Sequence, residues 1–197
     1  MEEKTDNLLD IIFKVISGLI GSLVIGYLFF QLRIFNFHNI FFSFVTGGIY
    51  GAVFFSLLQK FDFKKQLLIL VAVVFINIII MGKPYYFSFM LRDFVLIIVI
   101  FLSIKAYTSF ITKNKNLPLF IRAFALPVIY AVINIGGVLV LVLISELVES
   151  YNLSYLPGLL LINAEIAGLV GLGLGLGFDT WEFIKTKFLK EKLIKPV

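Results

Sequence analysis

Residues 156–178 read LPGLLLINAEIAGLVGLGLGLGF. Among these 23 residues, Glu165 is the one charged side chain. In a helix that rises 1.5 Å per residue the run extends about 35 Å, more than the roughly 30 Å of a bilayer's hydrocarbon core. Because lipid offers no hydrogen-bond partner to the backbone, its polar groups must be paired within the segment. The run therefore predicts a transmembrane helix.

The composition extends this prediction to the rest of the chain. Of the 197 residues, 60% are hydrophobic and 15% are charged, whereas a water-soluble domain carries about 25% charged residues. This excludes a soluble domain, and so much apolar sequence also excludes a disordered chain. The net charge of +5 belongs to an insoluble chain, so we expect the lipid bilayer as a partner and no nucleic acid.

The residues that usually bind metals and cofactors are scarce. The chain has no cysteine and one histidine, His38. These counts exclude disulfides, cysteine-ligated metals and a haem held by two histidines. We therefore expect no metal site and no cofactor.

Six segments are long and apolar enough to cross a membrane, which predicts an all-α, polytopic integral membrane protein. They are residues 11–30, 40–58, 67–82, 94–111, 123–145 and 156–178. The connections are too short for a second domain, so residues 1–197 are expected to form a single transmembrane domain, a compact bundle of about six helices. Residues 180–197 are interpreted as a basic cytoplasmic tail that continues the last helix.

The basic residues predict the orientation of the bundle. Arg33, Lys83 and Arg92 are the only basic residues on one predicted side. The other side collects Lys4, Lys14, Lys60, Lys64, Lys65, Lys105, Lys113, Lys115, Arg122, Lys185, Lys187, Lys190, Lys192 and Lys195. Since basic residues accumulate on the cytoplasmic side, both termini are predicted to be cytoplasmic, in a multi-pass protein of the plasma membrane.

Small residues recur at four-residue spacing in two of the predicted helices. In the last helix they form two tracks, Ala167, Gly171, Gly175 and Gly173, Gly177, with Gly168 beside the first track. In the first helix they are Ser17, Gly18, Gly21, Ser22 and Gly26. Because close approach of helices in lipid depends on small residues, the last helix is expected at the bundle centre or against a partner chain. The first helix is expected to pack closely or to present a docking surface for another membrane protein.

Glu165 is the main candidate for a functional residue. A helical wheel places it beside the stripe formed by Ala164, Gly168, Gly171 and Gly175, so we expect it to face protein rather than lipid. A carboxylate at mid-depth is costly unless it is neutral, paired or hydrated, and such residues mark ion, proton or substrate sites. The alternative is a protonated Glu165 that only fixes helix packing through a hydrogen bond.

The fifth predicted helix carries a polar face. The residues on that face are Pro127, Tyr130, Asn134, Gly137 and Ser145. Pro127 predicts a kink or a freed carbonyl, and Asn134 supplies a donor and an acceptor at mid-depth. Asn77 lies at a similar depth in the third helix, and Asn163 is a weaker candidate. We therefore predict a substrate site formed by Glu165, Asn134, Asn77 and Tyr130, with interhelical amide hydrogen bonds as the alternative.

Two acidic groups lie outside the predicted spans. The loop after the fifth helix, with Glu146, Glu149, Tyr151, Asn152 and Tyr155, is interpreted as an entrance for cationic solutes or as an ordinary outer loop. Asp179 and Glu182 are three residues apart, but two carboxylates alone are weak evidence for a divalent cation. The sequence contains no known catalytic pattern, so an enzyme is not indicated.

The leading hypothesis is a small membrane transporter, or the solute-binding membrane subunit of one, for a small molecule or a cation. In size and predicted topology the chain is similar to the substrate-binding subunits of energy-coupling-factor vitamin importers, which are small six-helix proteins. That similarity, carried by no residue motif, implies that the small residues of the first helix dock onto a transmembrane coupling subunit. One alternative is a non-catalytic accessory, assembly or regulatory protein that packs through its glycine stripes. Another is a homo-oligomeric channel with Gly168, Gly171 and Gly175 at the symmetry axis.

Overall fold

The computed structural model describes residues 2–31, 38–58, 61–81, 87–114, 116–148 and 155–189, and all regular structure in these ranges is helical. The helices are α1 (Glu2–Gln31), α2 (His38–Leu58), α3 (Phe63–Met81), α4 (Phe87–Lys113), α5 (Leu119–Ala123), α6 (Ala125–Val148) and α7 (Leu156–Ile184). A short π-helical segment, Lys185–Leu189, continues α7. The predicted all-helical class is confirmed for these residues, and the tail assigned to residues 180–197 begins inside α7.

Four helical stretches of the described chain are long and apolar enough to cross a membrane. They are Leu9–Phe29, Phe94–Lys113, Leu119–Ile144 and Leu156–Lys187. A shorter apolar stretch, Phe44–Leu57, lies in α2. By the length and composition of these helices the protein spans a membrane.

The predicted fifth helix is broken near its start. Helix α5 ends at Ala123 and α6 begins at Ala125, with Phe124 in a turn between them. Pro127 is the cause, because its ring excludes the helical position of the carbonyl four residues earlier, that of Ala123, and it has no N–H to donate. The span predicted over residues 123–145 thus has its first two residues at the break, and the disruption that Pro127 predicts is present.

Helix α7 lies at the centre of the bundle and packs on α1, α2, α5 and α6. One small-residue track faces α1. A Cβ atom added to Gly173 would lie 2.5 Å from the Cα atom of Ser22, and one added to Gly177 would collide with the backbone of Ser17. The backbones of the two antiparallel helices are thus in direct contact, which only glycine allows at these two positions.

The other track of α7 faces the break between α5 and α6. A Cβ atom on Gly175 would lie 2.6 Å from the carbonyl oxygen of Ala123, and one on Gly171 would lie 3.0 Å from that of Leu126. Gly168, farther along, is less crowded. Because the Ala123 carbonyl is the one that Pro127 cannot pair with, Gly175 provides the space that this displaced backbone occupies.

The small residues of α1 are covered by other helices of the same chain. Gly18 contacts the ring of Phe178 on α7, and Gly26 contacts the ring of Phe44 on α2. Ser22 is fully buried and donates a hydrogen bond of 3.0 Å to the Phe44 carbonyl. The interpretation of this surface as a docking site for a coupling subunit is therefore wrong in the described fold, and close internal packing explains the pattern.

Aromatic residues fill the core between α2, α4 and α7. The Phe55 and Phe178 rings stack with their centroids 3.9 Å apart, and Tyr107 lies beside Phe55 with a centroid distance of 5.8 Å. Helix α3 is peripheral: it packs chiefly on α4, and side chains such as Leu68 and Phe75 are exposed.

Candidate functional site

Buried polar atoms without hydrogen-bond partners are the most informative feature of the interior. Among the described residues these side-chain atoms are Ser56 Oγ, Tyr107 OH, Tyr130 OH, Asn134 Oδ1 and Asp179 Oδ2. A buried polar atom left unpaired costs about 1–3 kcal/mol. Native interiors therefore pair such atoms with protein, water or a ligand.

Tyr130 and Asn134 place two of these atoms on one face of α6. They are four residues apart, which aligns them one above the other along the helix. Tyr130 is 3% exposed and Asn134 is half-buried. Gly51 on α2 gives the Tyr130 hydroxyl its space, since a Cβ atom there would lie 2.8 Å from that oxygen. The Tyr130 hydroxyl thus faces the interior between α2, α6 and α7, because Leu174 of α7 also lies against Gly51. The Oδ1 atom of Asn134 is buried one turn farther along the same helix.

Asp179 forms a second polar site near the end of α7. Its side chain is 4% exposed, and its carboxylate accepts a hydrogen bond from the backbone N–H of Ala123. That N–H lies in the last turn of α5, beside the break at Phe124. Arg122 and Tyr107 are both within electrostatic range of the carboxylate. The Oδ2 atom of Asp179 and the Tyr107 hydroxyl nevertheless have no hydrogen-bond partner among the described residues.

A cluster of charged groups joins the start of α1 to the end of α7. Asp10 accepts hydrogen bonds of 2.9 Å from Trp181 Nε1 and from Lys185 Nζ. Lys14, 8% exposed, forms a 2.9 Å ion pair with Glu182 and lies 3.6 Å from Asp10. We call Asp10, Lys14, Trp181, Glu182 and Lys185 the α1–α7 cluster, and the end of the bundle that holds it the basic end. Glu182 is thus used in an ion pair, while Asp179 turns into the bundle.

Glu165 does not line the interior. The structure places it on the exposed side of α7, so the expectation that it faces protein is wrong. Glu165 lies at the border of the glycine stripe on a helical wheel. Gly168, one turn along, is only in loose contact with α6, because a Cβ atom added there would lie 3.8 Å from the Pro127 carbonyl oxygen. Glu165 is therefore separated from Tyr130 and Asn134, which belong to the core side.

The other predicted site residues contribute less. Asn77 belongs to α3, and its side chain lies outside the described residues, as do Ser145, Glu146, Glu149, Tyr151 and Asn152. Tyr155 is exposed. Asn163 donates a 2.8 Å hydrogen bond to the Leu159 carbonyl of its own helix, so its amide is engaged locally.

The unpaired buried atoms of the described interior belong to neutral hydroxyl and amide groups and to one carboxyl group. The described residues contain no group of three or more His, Cys, Asp or Glu side chains that could hold a metal ion. The three-residue spacing of Asp179 and Glu182 does not by itself indicate that Asp179 is buried. A usable signal exists: Gly171, Gly175 and Asp179 follow the same four-residue spacing, which puts Asp179 on the face that packs against α5 and α6.

Comparison with known proteins leaves the site to be interpreted from its own chemistry, because the chain matches no family model, no curated protein and no solved structure.

Proposed function

We propose that the protein is a small membrane transporter, or the solute-binding membrane subunit of one, that holds a polar solute between α2, α6 and α7. One observation carries this proposal. The Tyr130 hydroxyl and the Asn134 Oδ1 atom are buried one helical turn apart, with no hydrogen-bond partner in the described part of the chain. A solute with hydroxyl or amide groups would pair with both atoms and restore the hydrogen bonds that the fold leaves open.

The proposal includes a topology in the plasma membrane. We assign six spans to α1, α2, α3, α4, the α5–α6 pair and α7, with both termini in the cytoplasm. The distribution of lysine and arginine supports this orientation, because the basic end carries Lys14, Lys185 and Arg122. Asn134 lies about 14 Å along α6 from Ala125, which puts the solute site near mid-depth.

Glu165 supports a second candidate function, that of an accessory or assembly subunit of a larger membrane complex. Its carboxyl group is exposed within an apolar helix. A carboxylate that faces lipid at mid-span costs about 2.5–3.5 kcal/mol, and pairing with another chain would remove that cost. The glycine stripe gives no comparable support to a homo-oligomeric channel, since Gly171 and Gly175 lie against α5 and α6 of the same chain.

Retention of a small molecule by the purified protein tests the transporter proposal. The full chain is purified in mild detergent, and a solvent extract is examined by mass spectrometry. We expect a molecule in near-stoichiometric amount, and about tenfold weaker retention in Tyr130→Phe and in Asn134→Leu, because each loses a buried hydrogen bond of about 1.4 kcal/mol. Val132→Ala is the matched control, since Val132 lies on the exposed face of the same helix.

Two results would overturn the proposal. One is a retained molecule whose amount is the same in both variants and in the control. The other is a stoichiometric membrane-protein partner that is lost in Glu165→Ala, with no small molecule in the wild type, which would establish the accessory function instead.

A further inference from the structure

The surroundings of Asp179 are unusual for a carboxyl group that only stabilises a fold. It is one of the few charged side chains buried among the described residues, and one of its oxygens is left unpaired. Tyr107, which is fully buried, brings a second unpaired oxygen within electrostatic range. Each of the two buried oxygens therefore has an open hydrogen bond that a buried water molecule can complete.

The charged groups around Asp179 come from several helices. Arg122 of α5 acts on it electrostatically, and its Nε atom donates a 2.8 Å hydrogen bond to the Leu117 carbonyl. Glu182, one turn along α7, also acts on it and is paired with Lys14 of α1. From α4, Tyr107 is the titratable group that interacts electrostatically with Asp179. From α2, the Phe55 ring reaches this part of the core by stacking on Phe178, and it carries no charge.

We propose that Asp179 is a proton-exchange site, with the Tyr107 hydroxyl as its hydrogen-bonding partner through a bridging water. In the protonated state the carboxyl O–H donates to that water. In the ionised state Oδ2 accepts from it, and the charge is balanced by Arg122 and by the Ala123 N–H. The proton comes from and returns to water at the basic end, so that a hydronium ion and a carboxylate become water and a carboxylic acid, with no change of oxidation state.

The donor set favours a proton over a metal cation. Hard divalent cations take six or more oxygens, several of them charged. Asp179 offers one free carboxylate oxygen next to neutral hydroxyls, and the Arg122 guanidinium within range repels a further cation. A proton requires only the carboxyl oxygen and one hydrogen-bond acceptor.

Asp179 is physically connected to the proposed solute site. It bonds the backbone of Ala123 at the α5–α6 break, and Tyr130 follows on α6 seven residues later. A change in the charge of Asp179 therefore acts on the backbone segment that positions α6. A role of Asp179 in coupling proton exchange to transport rests on the transport function proposed above. Proton exchange at Asp179 is itself measurable without any transport.

Infrared spectroscopy of the full chain in lipid nanodiscs tests the proton site. Labelling with aspartate carrying ¹³C in its carboxyl group separates aspartate bands from glutamate bands, and spectra are compared across a pH series. We expect a protonated-carboxyl band that is lost in Asp179→Asn and displaced in Tyr107→Phe. The same band is expected to be unchanged in Asp62→Asn and Tyr27→Phe, which alter exposed residues of the same types.

Two results would overturn the inference. One is the absence of a protonated-carboxyl band over the pH range in which the protein stays folded, and the other is a band that Tyr107→Phe does not displace. A carboxylate band that shifts when sodium chloride replaces choline chloride would assign a cation site instead. If Asp179→Asn does not fold, Tyr107→Phe decides alone, because it retains the carboxyl group. A band that behaves as expected in a protein that retains and transports no solute would overturn the transport function only.

Discussion

Helices α3 and α7 are both strongly apolar, yet they occupy opposite environments. Helix α7 is surrounded by α1, α2, α5 and α6, whereas α3 packs chiefly on α4 and exposes Leu68 and Phe75. The described sequences differ in one respect that explains this, since α7 carries glycine at its contacts and α3 has none. In a bilayer apolar side chains gain little by leaving lipid, so burial follows from small residues that let backbones meet rather than from hydrophobicity.

Adding a single methyl group to α7 is the strongest test of this difference. Gly173→Ala puts a Cβ atom 2.5 Å from the Cα atom of Ser22 and 2.6 Å from the carbonyl oxygen of Gly21. These are backbone atoms that cannot rotate away, so we expect a loss of about 3 kcal/mol of stability, the upper part of the range for overpacked cores. The measurement is thermal unfolding of the detergent-solubilised protein.

Two controls separate packing from helix propensity in this experiment. Gly158→Ala lies in the same helix, where an added Cβ meets nothing within 4 Å, and it is expected to leave stability unchanged or raised by about 0.5–1 kcal/mol. Ala72→Leu adds a larger side chain on the exposed side of α3 and is expected to change stability by less than about 0.5 kcal/mol. Equal losses in Gly173→Ala and Ala72→Leu would remove the distinction between the two helices.

Much of the fold can be predicted from the sequence, but the pairs of helices that contact each other cannot. Hydrophobic length predicts the helices, and Pro127 predicts the break, because both effects act within one segment. The four-residue spacing of glycines predicts a close-packed face on α7, but periodicity along one helix contains no information about which helix covers that face. The contacts of Gly173 with α1 and of Gly175 with α5 therefore appear only in the structure.

The candidate site shows the same limit at single residues. A helical wheel gives the angular position of each residue, but not how far around the helix the contact with a neighbouring helix extends. Glu165 lies at the border of the stripe, so it was predicted to face inward, but it is exposed. Asp179 lies within the same spacing, yet its burial depends on a backbone N–H of α5 that is offered by a helix end next to Pro127. That partner is distant in sequence and follows no local pattern.

Asp10 of α1 binds the end of α7, and removing its charge is expected to release that end from α1. Asp10→Asn keeps the shape of the side chain but removes the charge that Lys185 and Lys14 pair with. We expect a loss of about 2 kcal/mol, less than for a fully buried ion pair because Lys185 is partly exposed. Since Trp181 is the only tryptophan and its Nε1 donates to Asp10, its fluorescence emission is expected to shift to longer wavelength.

Asp62→Asn is the matched control, because Asp62 is exposed next to α3 and its carboxylate makes one long backbone contact of 3.4 Å. Its expected effect on stability is below about 0.5 kcal/mol, with no change in the Trp181 emission. An unchanged emission in Asp10→Asn would show that the α1–α7 cluster does not hold the two helices together.

The smallest expected effect separates small size from hydrogen bonding at the contact between α1 and its neighbours. Ser22→Ala keeps a small residue against Gly173 and Gly48 but removes the 3.0 Å hydrogen bond to the Phe44 carbonyl. Hydrogen bonds between transmembrane helices contribute about 0.6 kcal/mol on average, so the loss of stability is expected to be near that value. Thr112→Val is the control, since its hydroxyl bonds only within α4 at an exposed position. A loss in Ser22→Ala as large as in Gly173→Ala would mean that polar pairing, rather than close backbone approach, sets α7 at the centre and leaves α3 outside.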